Sequence, residues 1–311
     1  MSASPVVAGI DCGTNSVRLL VASIDGDGTL DERARLMRIV RLGEGVDQTG
    51  EFSADALERT FTALDEYASV IVAEGAERVR FVATSASRDV SNRAAFVAGV
   101  RDRLGVDPEV ITGDEEAALS FVGAHRGLPA GLVSYPALVV DIGGGSTEFV
   151  LGPRDPLASL SVDIGCVRMT ERHLATDPPT TAEIAAAQLD IDAAIAAVAA
   201  VVPISEAACF VGLAGSVTTV AAMALDLDHY DADLLHGSVI SIADVDRVTS
   251  ALIAMTRAER EALPYMHPGR VDVIAAGAMI LRSAMVAGGF DEVIVSETDI
   301  LDGIVYSLTS S

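Results

Sequence analysis

The chain has 311 residues, half of them hydrophobic, and a formal net charge of -24. That acidity excludes general nucleic-acid binding, because long-range attraction to a phosphate backbone would have the wrong sign. The sequence contains no lysine, which excludes the lysine-bearing phosphate loops of P-loop proteins and protein kinases, and lysine Schiff-base chemistry.

In chain order, Val6–Ile10 reads as an apolar strand. The loop Asp11-Cys12-Gly13-Thr14-Asn15-Ser16 follows, then a strand Val17–Ile24. Gly26-Asp27-Gly28 is a hairpin signal leading to a strand over Leu30–Val40. Ser53 caps a helix that runs to about Ala73, Arg78–Ala83 is a strand, and Asn92–Leu104 a helix. Glu109–Ile111 is a short strand, followed by a helix from Asp114 to about His125. The turn-rich stretch Gly127-Leu128-Pro129-Ala130-Gly131 marks a boundary.

The pattern then restarts. Ala137–Val140, Glu148–Leu151 and Leu157–Val162 read as three strands. Thr181–Val202 is a long helix with Ile184, Ile191, Ile195, Val198 and Val202 on one face, and Thr180 with Glu183 in capping-box register at its start. Ala208–Leu213 is a strand and Ser216–Leu225 a helix. Helices near Ala243–Thr256 and Val271–Val286, a strand Glu292–Val295 and a helix Ile300–Leu308 complete the chain. Both halves place three strands before alternating helices and strands. This is an α/β architecture repeated without repetition of sequence.

The second half carries its own polar glycine loop, Asp141-Ile142-Gly143-Gly144-Gly145-Ser146-Thr147, with Glu148 behind it. Glycines let backbone N–H groups turn onto an anion, and the Ser and Thr hydroxyls add donors. A strand rather than a helix follows each loop, so neither is a Rossmann turn. Two such loops predict a duplicated fold that grips one phosphorylated ligand. The phosphate-binding candidates are Gly13, Thr14, Asn15 and Ser16 in the first loop, and Gly143, Gly144, Gly145 and Ser146 in the second. A third glycine loop, Gly212-Leu213-Ala214-Gly215-Ser216, lies between a strand and a helix start, which makes Gly215 and Ser216 further candidates.

Ala83-Thr84-Ser85-Ala86-Ser87-Arg88-Asp89 leaves the end of a strand and offers Arg88 as a phosphate fork. The run Gly113-Asp114-Glu115-Glu116-Ala117 opens a helix. Thr112 and Glu115 stand in capping-box register, so Glu115 has a structural task and Glu116 is left for chemistry. Arg38, Arg41, Arg168 and Arg270 could line a polyanion groove, though each alone is an ordinary surface charge. The histidines show no metalloprotease spacing. No apolar run reaches the roughly 18 residues of a membrane span, and Val6–Ile10 ends at Asp11 before it could form a signal-peptide core. The odd, scattered set Cys12, Cys166 and Cys209 fits a reducing compartment. A cytoplasmic protein with no membrane partner is expected.

Taken together, these segments resemble the exopolyphosphatase/guanosine pentaphosphate phosphohydrolase (Ppx/GppA) family over nearly the whole chain. The likeness includes the first loop with Val17-Arg18-Leu19, Arg41-Leu42-Gly43-Glu44-Gly45-Val46, Ala83-Thr84-Ser85 through Arg88 and Asn92, and Gly113–Ala117. It continues with Asp141–Phe149, Gly165-Cys166-Val167-Arg168 with Thr170-Glu171, and Gly215-Ser216-Val217-Thr218-Thr219. The resemblance implies two RNase H-like domains of the actin, sugar kinase and chaperone ATPase superfamily with an interdomain cleft. Domain I would be 1–127 plus a C-terminal helix at 299–311, and domain II 128–298.

The resemblance further implies hydrolysis of terminal phosphoanhydride bonds in polyphosphate, and of guanosine pentaphosphate, with magnesium or manganese. Glu116 matches the glutamate that positions or deprotonates the attacking water. Asp141 and Glu148 match acids near metal and water, Asp11 is a third candidate metal ligand, and Arg88 matches a phosphate-binding arginine. The family often reads Arg-Glu-Gly where this chain has Leu301-Asp302-Gly303, so a basic contact is expected to be missing there. A kinase or ATPase of the same superfamily and a guanosine pentaphosphate/tetraphosphate sensor remain the alternatives. Oligomeric state is open, a homodimer included.

Overall fold

The computed structural model describes residues 4–26, 28–88 and 90–309. Asp27 of the expected hairpin turn, Asp89 after Arg88, and residues 1–3 and 310–311 at the ends of the expected first domain lie outside them. Tertiary contacts divide the chain into two units, Met1–Gly123 with Ile300–Ser311, and Ala124–Asp299. The expected division was 127/128 and 298/299.

Unit 1 begins with β1 (Val6–Cys12), β2 (Ser16–Ile24) and β3 (Leu30–Ile39). Then come α1 (Val46–Thr49), α2 (Ala54–Ala73), β4 (Arg78–Ala83), α3 (Ser85–Arg88), α4 (Arg93–Leu104), β5 (Glu109–Val110) and α5 (Gly113–Gly127). The sheet order is β3-β2-β1-β4-β5, antiparallel among the first three strands and parallel from β1 to β5. Every residue of β1 is buried, as expected for a central strand covered on both faces. One face carries a core of Ile10, Leu19, Leu64, Tyr67, Phe81 and Phe96. The other face packs Val7, Leu20 and Ala22 against Leu301, Val305 and Leu308 from the C-terminal helix. Gly9 permits that approach, since a Cβ there would stand 2.9 Å from Val305 Cγ2.

Unit 2 contains β6 (Ala137–Ile142), β7 (Thr147–Gly152), β8 (Ala158–Val162), α6 (Cys166–His173), α7 (Thr181–Ala199), β9 (Cys209–Leu213) and α8 (Ala214–Ala224). It continues with α9 (Ala232–Leu235), β10 (Val239–Ser241), α10 (Ile242–Ala254), α11 (Arg257–Glu261), α12 (Ile274–Gly288) and β11 (Glu292–Val295). Helix α13 (Ile300–Thr309) then returns to unit 1. The sheet order is β10-β11-β9-β6-β7-β8. Its β8-β7-β6-β9-β11 portion repeats the order and strand directions of unit 1, with β10 added antiparallel at the edge. The fold is thus the expected doubled RNase H-like arrangement.

Helix α7 begins with the expected capping box: Thr180 Oγ1 accepts from Glu183 N, and Glu183 Oε2 accepts from Thr180 N at 2.7 Å. Helix α6 and strand β10 went unread in the sequence. The first has eight residues and a glycine N-cap without a side-chain bond; the second has three residues. Among the described residues no helix is long and apolar enough to cross a membrane.

Candidate active site

The first polar loop joins β1 to β2. Gly13 N donates to Ser16 O at 2.9 Å and closes the turn. The chain after β3 folds over it: Val40 N and Arg41 N donate to Asn15 O, and Gly43 N donates to Thr14 O at 2.8 Å. Gly43 is required there, because a Cβ would stand 2.4 Å from Thr14 Cγ2. The Thr14 and Asn15 carbonyls are thus engaged, and so is the Gly13 amide; further backbone amides of such a turn are the groups that suit an anion. Asp11 and Arg18 are direct cross-strand partners at the base of this turn. Arg18 donates to Asp11 Oδ2 through Nε at 3.0 Å and through Nη2 at 2.6 Å. Asp11 is buried, so this guanidinium neutralises its charge.

The parallel strands β1, β4 and β5 end on one side of the sheet, where α/β proteins bind ligands. Thr84 N donates to Cys12 O at 3.1 Å, which sets the segment after β4 beside the first loop. The short turn α3 ends at Arg88, whose carbonyl accepts from the Arg93 guanidinium. Arg88 Nη1 donates to Glu116 Oε2 at 2.7 Å. Glu116 lies in the first turn of α5 and is buried.

Its neighbour Glu115 is employed differently. Thr112 Oγ1 caps Glu115 N at 3.2 Å, but the Glu115 carboxylate does not return to the cap. Arg80 Nη2 takes Glu115 Oε1 at 2.7 Å and Glu109 Oε2 at 2.8 Å, and Arg80 Nη1 holds Ser307 Oγ on α13 at 2.8 Å. The expected capping box is therefore half made; the arginine offers the carboxylate a charged partner, which outcompetes a neutral amide.

The second polar loop repeats the closure. Gly143 N donates to Ser146 O at 3.0 Å. Here α6 does what the segment after β3 does in unit 1. Cys166 N donates to Gly143 O, Val167 N and Arg168 N donate to Gly144 O, and Arg168 Nε donates to Gly145 O at 2.7 Å. The otherwise partnerless first amides of a helix thus consume the loop carbonyls. The contact is so close that only glycine fits at 165: a Cβ would stand 2.3 Å from the Gly144 backbone. At the base of this turn the cross-strand partners are Asp141 and Glu148, two buried acids. Ser161 Oγ, from the next strand, donates to Glu148 Oε1 at 2.7 Å.

The third glycine loop opens α8. Gly215 lies against Arg270, since a Cβ there would stand 2.3 Å from Cζ. Arg270 Nη1 donates to Thr219 Oγ1 at 3.0 Å, and the guanidinium lies 5.8 Å from the Tyr230 ring centroid. Ser216 packs beside Gly277 and hydrogen-bonds the Cys166 thiol, so its hydroxyl serves the interior of unit 2. The Tyr230 hydroxyl stands 2.7 Å from Thr218 Oγ1 and 2.6 Å from Glu297 Oε1. Burial raises the Glu297 carboxyl above its ordinary range, against the opposing effects of Tyr230 and Arg270. Sequence reading singled out neither Tyr230 nor Glu297. The available signal was position, because Glu297 follows β11 on the side where β6 and β9 also end.

The remaining candidates separate. Arg38 pairs with Glu66 on α2, and Arg41 adopts a positive φ of 48° beneath the first loop. Leu301 is buried in the core of unit 1, and Asp302 accepts from Arg35 Nη2 at 2.6 Å. Leu301 therefore serves the core of unit 1. Gly303 is required by α5, since a Cβ would stand 2.1 Å from Leu119 O.

No group of three or more His, Cys, Asp or Glu side chains able to hold a metal ion occurs among the described residues. Asp141 and Glu148 form a pair of hard oxygen donors on one face of a strand ladder. That set fits magnesium, which takes one or two carboxylates and completes its shell with water and substrate phosphate.

Comparison with known proteins places this geometry. The model of the Ppx/GppA phosphatase family matches residues 20–311. Exopolyphosphatase 2 of Mycobacterium tuberculosis is 49% identical, over 97% of this chain and 98% of its own. Among solved structures, an exopolyphosphatase-like protein superposes with a TM-score of 0.95 at 41% identity, over 99% of this chain and 98% of that one. The Aquifex aeolicus Ppx/GppA protein superposes with a TM-score of 0.81 at 31% identity, over 98% of each chain. The chain belongs to the Ppx/GppA phosphatase family.

Proposed function

We propose that this Ppx/GppA family member is an exopolyphosphatase, a hydrolase that releases the terminal phosphate of inorganic polyphosphate. The carrying observation is Glu116. It is a buried acid at a helix start that neither caps the helix nor joins the Arg80 network, and Arg88 holds it at 2.7 Å. Full-length likeness to a protein named exopolyphosphatase supports polyphosphate as the substrate.

Water attacks the terminal phosphorus in line with the bridging oxygen. A new P–O bond forms as the terminal bridge breaks. The water proton passes to the Glu116 carboxylate, and the electron pair leaves on the oxygen of the shortened chain. Phosphoryl transfer needs mainly positioning and charge neutralisation, which the first loop and the Arg88 fork supply within unit 1. Asp141 and Glu148 would hold magnesium or manganese, which when bound neutralises phosphate oxygens. Asp11 is a further candidate ligand; Arg18 engages its Oδ2, and its Oδ1 is buried. The free thiols Cys12, Cys166 and Cys209 support a reducing, cytoplasmic setting.

The test is phosphate release with magnesium from polyphosphates of several lengths, guanosine pentaphosphate and ATP side by side. Faster turnover of polyphosphate is expected. ADP formation without net hydrolysis, or tight guanosine pentaphosphate binding without phosphate release, would reject the reading. Glu116→Gln should lower kcat by roughly 10²–10⁴-fold; retention of most kcat would remove its role.

A further inference from the structure

We infer that Arg88 is exchanged between two anions during turnover: the Glu116 carboxylate before substrate binds, and the terminal phosphate afterwards. The inference rests on the proposed function, with Glu116 as proton acceptor and Arg88 as phosphate ligand, and adds the order in which they act.

The structure sets the two groups up for exchange. The pair joins α3 to the first turn of α5. Both side chains are largely but not fully covered, at 22% exposure for Arg88 and 11% for Glu116. The Arg88 backbone is fixed, because its carbonyl is held by Arg93 and the turn before it closes with Ser87 N on Thr84 O at 2.9 Å. The guanidinium can therefore change partner without moving the chain.

Arg80 provides the contrast. It binds two carboxylates and a serine hydroxyl at once, so it is a fixed structural clamp. Arg88 Nη1 donates to Glu116 Oε2 at 2.7 Å and to Ile111 O at 3.4 Å. A guanidinium has five donors in a fork suited to phosphate.

The exchange has a chemical consequence. A carboxylate bonded to arginine is a weakened base, because the cation favours its charged form. A terminal phosphate brings more negative charge and more acceptor oxygens than a carboxylate, so it competes for the fork. Once Arg88 turns to the phosphate, Glu116 loses its cation and gains a neighbouring anion. Both changes raise its affinity for the water proton. The base is thereby activated when there is a phosphate to attack, and substrate affinity is reduced by the ion pair that must break.

Binding of orthophosphate tests this without turnover. Calorimetry on the full chain would compare the parent, Glu116→Gln, Arg88→Gln and the double variant. Exchange predicts that Glu116→Gln binds about tenfold tighter than the parent, about 1.4 kcal/mol, and that the gain shrinks when Arg88 is absent. If Arg88 instead bridged both anions throughout, it would screen Glu116, and the gain would be larger without Arg88. An equal or larger gain in the Arg88→Gln background overturns the inference. So does unchanged phosphate affinity in Arg88→Gln alone.

Arg88→Lys provides a second reading should the glutamine variant fold poorly. It keeps the charge and loses the fork, so an intermediate gain is expected, and a gain above the parent's rejects exchange. Failure of the proposed function shows separately, as absence of phosphate release by the parent enzyme.

Discussion

The two polar turns share a backbone and differ in charge. Each has an acid at the end of the first strand, a closing bond from glycine N to serine O, and a cross-strand partner seven positions after the acid. In unit 1 that partner is Arg18, and the pair is internally neutral. In unit 2 it is Glu148, and the pair is two acids. One scaffold has thus produced a turn based on an acid and a base and a turn based on two acids, the second being the one for which we propose a cation. The shared backbone makes both turns candidates for phosphate, while the partner residue distinguishes the one proposed to take a metal.

The largest expected effect comes from making unit 2 resemble unit 1. Glu148→Arg should place a guanidinium beside Asp141 and reduce magnesium-dependent phosphate release below detection; appreciable activity would show that the second acid is dispensable. Next is Asp141→Asn, which should raise the magnesium needed for half-maximal rate by at least about 10–100-fold, a range known for weaker disturbances of metal sites. An unchanged titration would move the metal elsewhere.

The converse change, Arg18→Leu, should leave the magnesium requirement unaltered. It strands a buried carboxylate, so a loss of about 1–3 kcal/mol in chemical denaturation is expected. A marked shift in magnesium dependence instead would assign Asp11 to the metal. The smallest effect belongs to a carboxylate linked to neither turn. Hydrogen bonds from Thr176 and Thr180 pull Glu183 down to about 2, below its unfolded value near 4.3. Its contribution is thus complete above about pH 4.5 and lost as pH falls toward 2. Glu183→Gln should flatten thermal stability across that window and leave phosphate release alone; an unchanged profile would deny the capping carboxylate this role.

Much of this was legible in the sequence because strand, loop and strand are local. The Thr180–Glu183 box required only helix geometry, whereas the Glu115 carboxylate is taken by Arg80 rather than by the expected cap, a tertiary contact. The Asp11–Arg18 pair was also within reach, since both hairpins pair residues seven apart. Helix α6 was hidden because it lacks a side-chain cap and draws its stability from the loop it holds, a tertiary contact. Tyr230 and Glu297 lie far apart in sequence, and sheet topology alone brings them together.

The return of α13 to unit 1 has a consequence for biosynthesis. Residues 300–308 cover Val7, Leu20 and Ala22, yet they leave the ribosome after all of unit 2 has emerged. Unit 2 is continuous in sequence and can finish folding first. Unit 1, although its strands are translated earliest, carries an exposed apolar sheet face until the last helix arrives. The nascent chain is therefore most vulnerable to aggregation and to chaperone capture along its oldest segment.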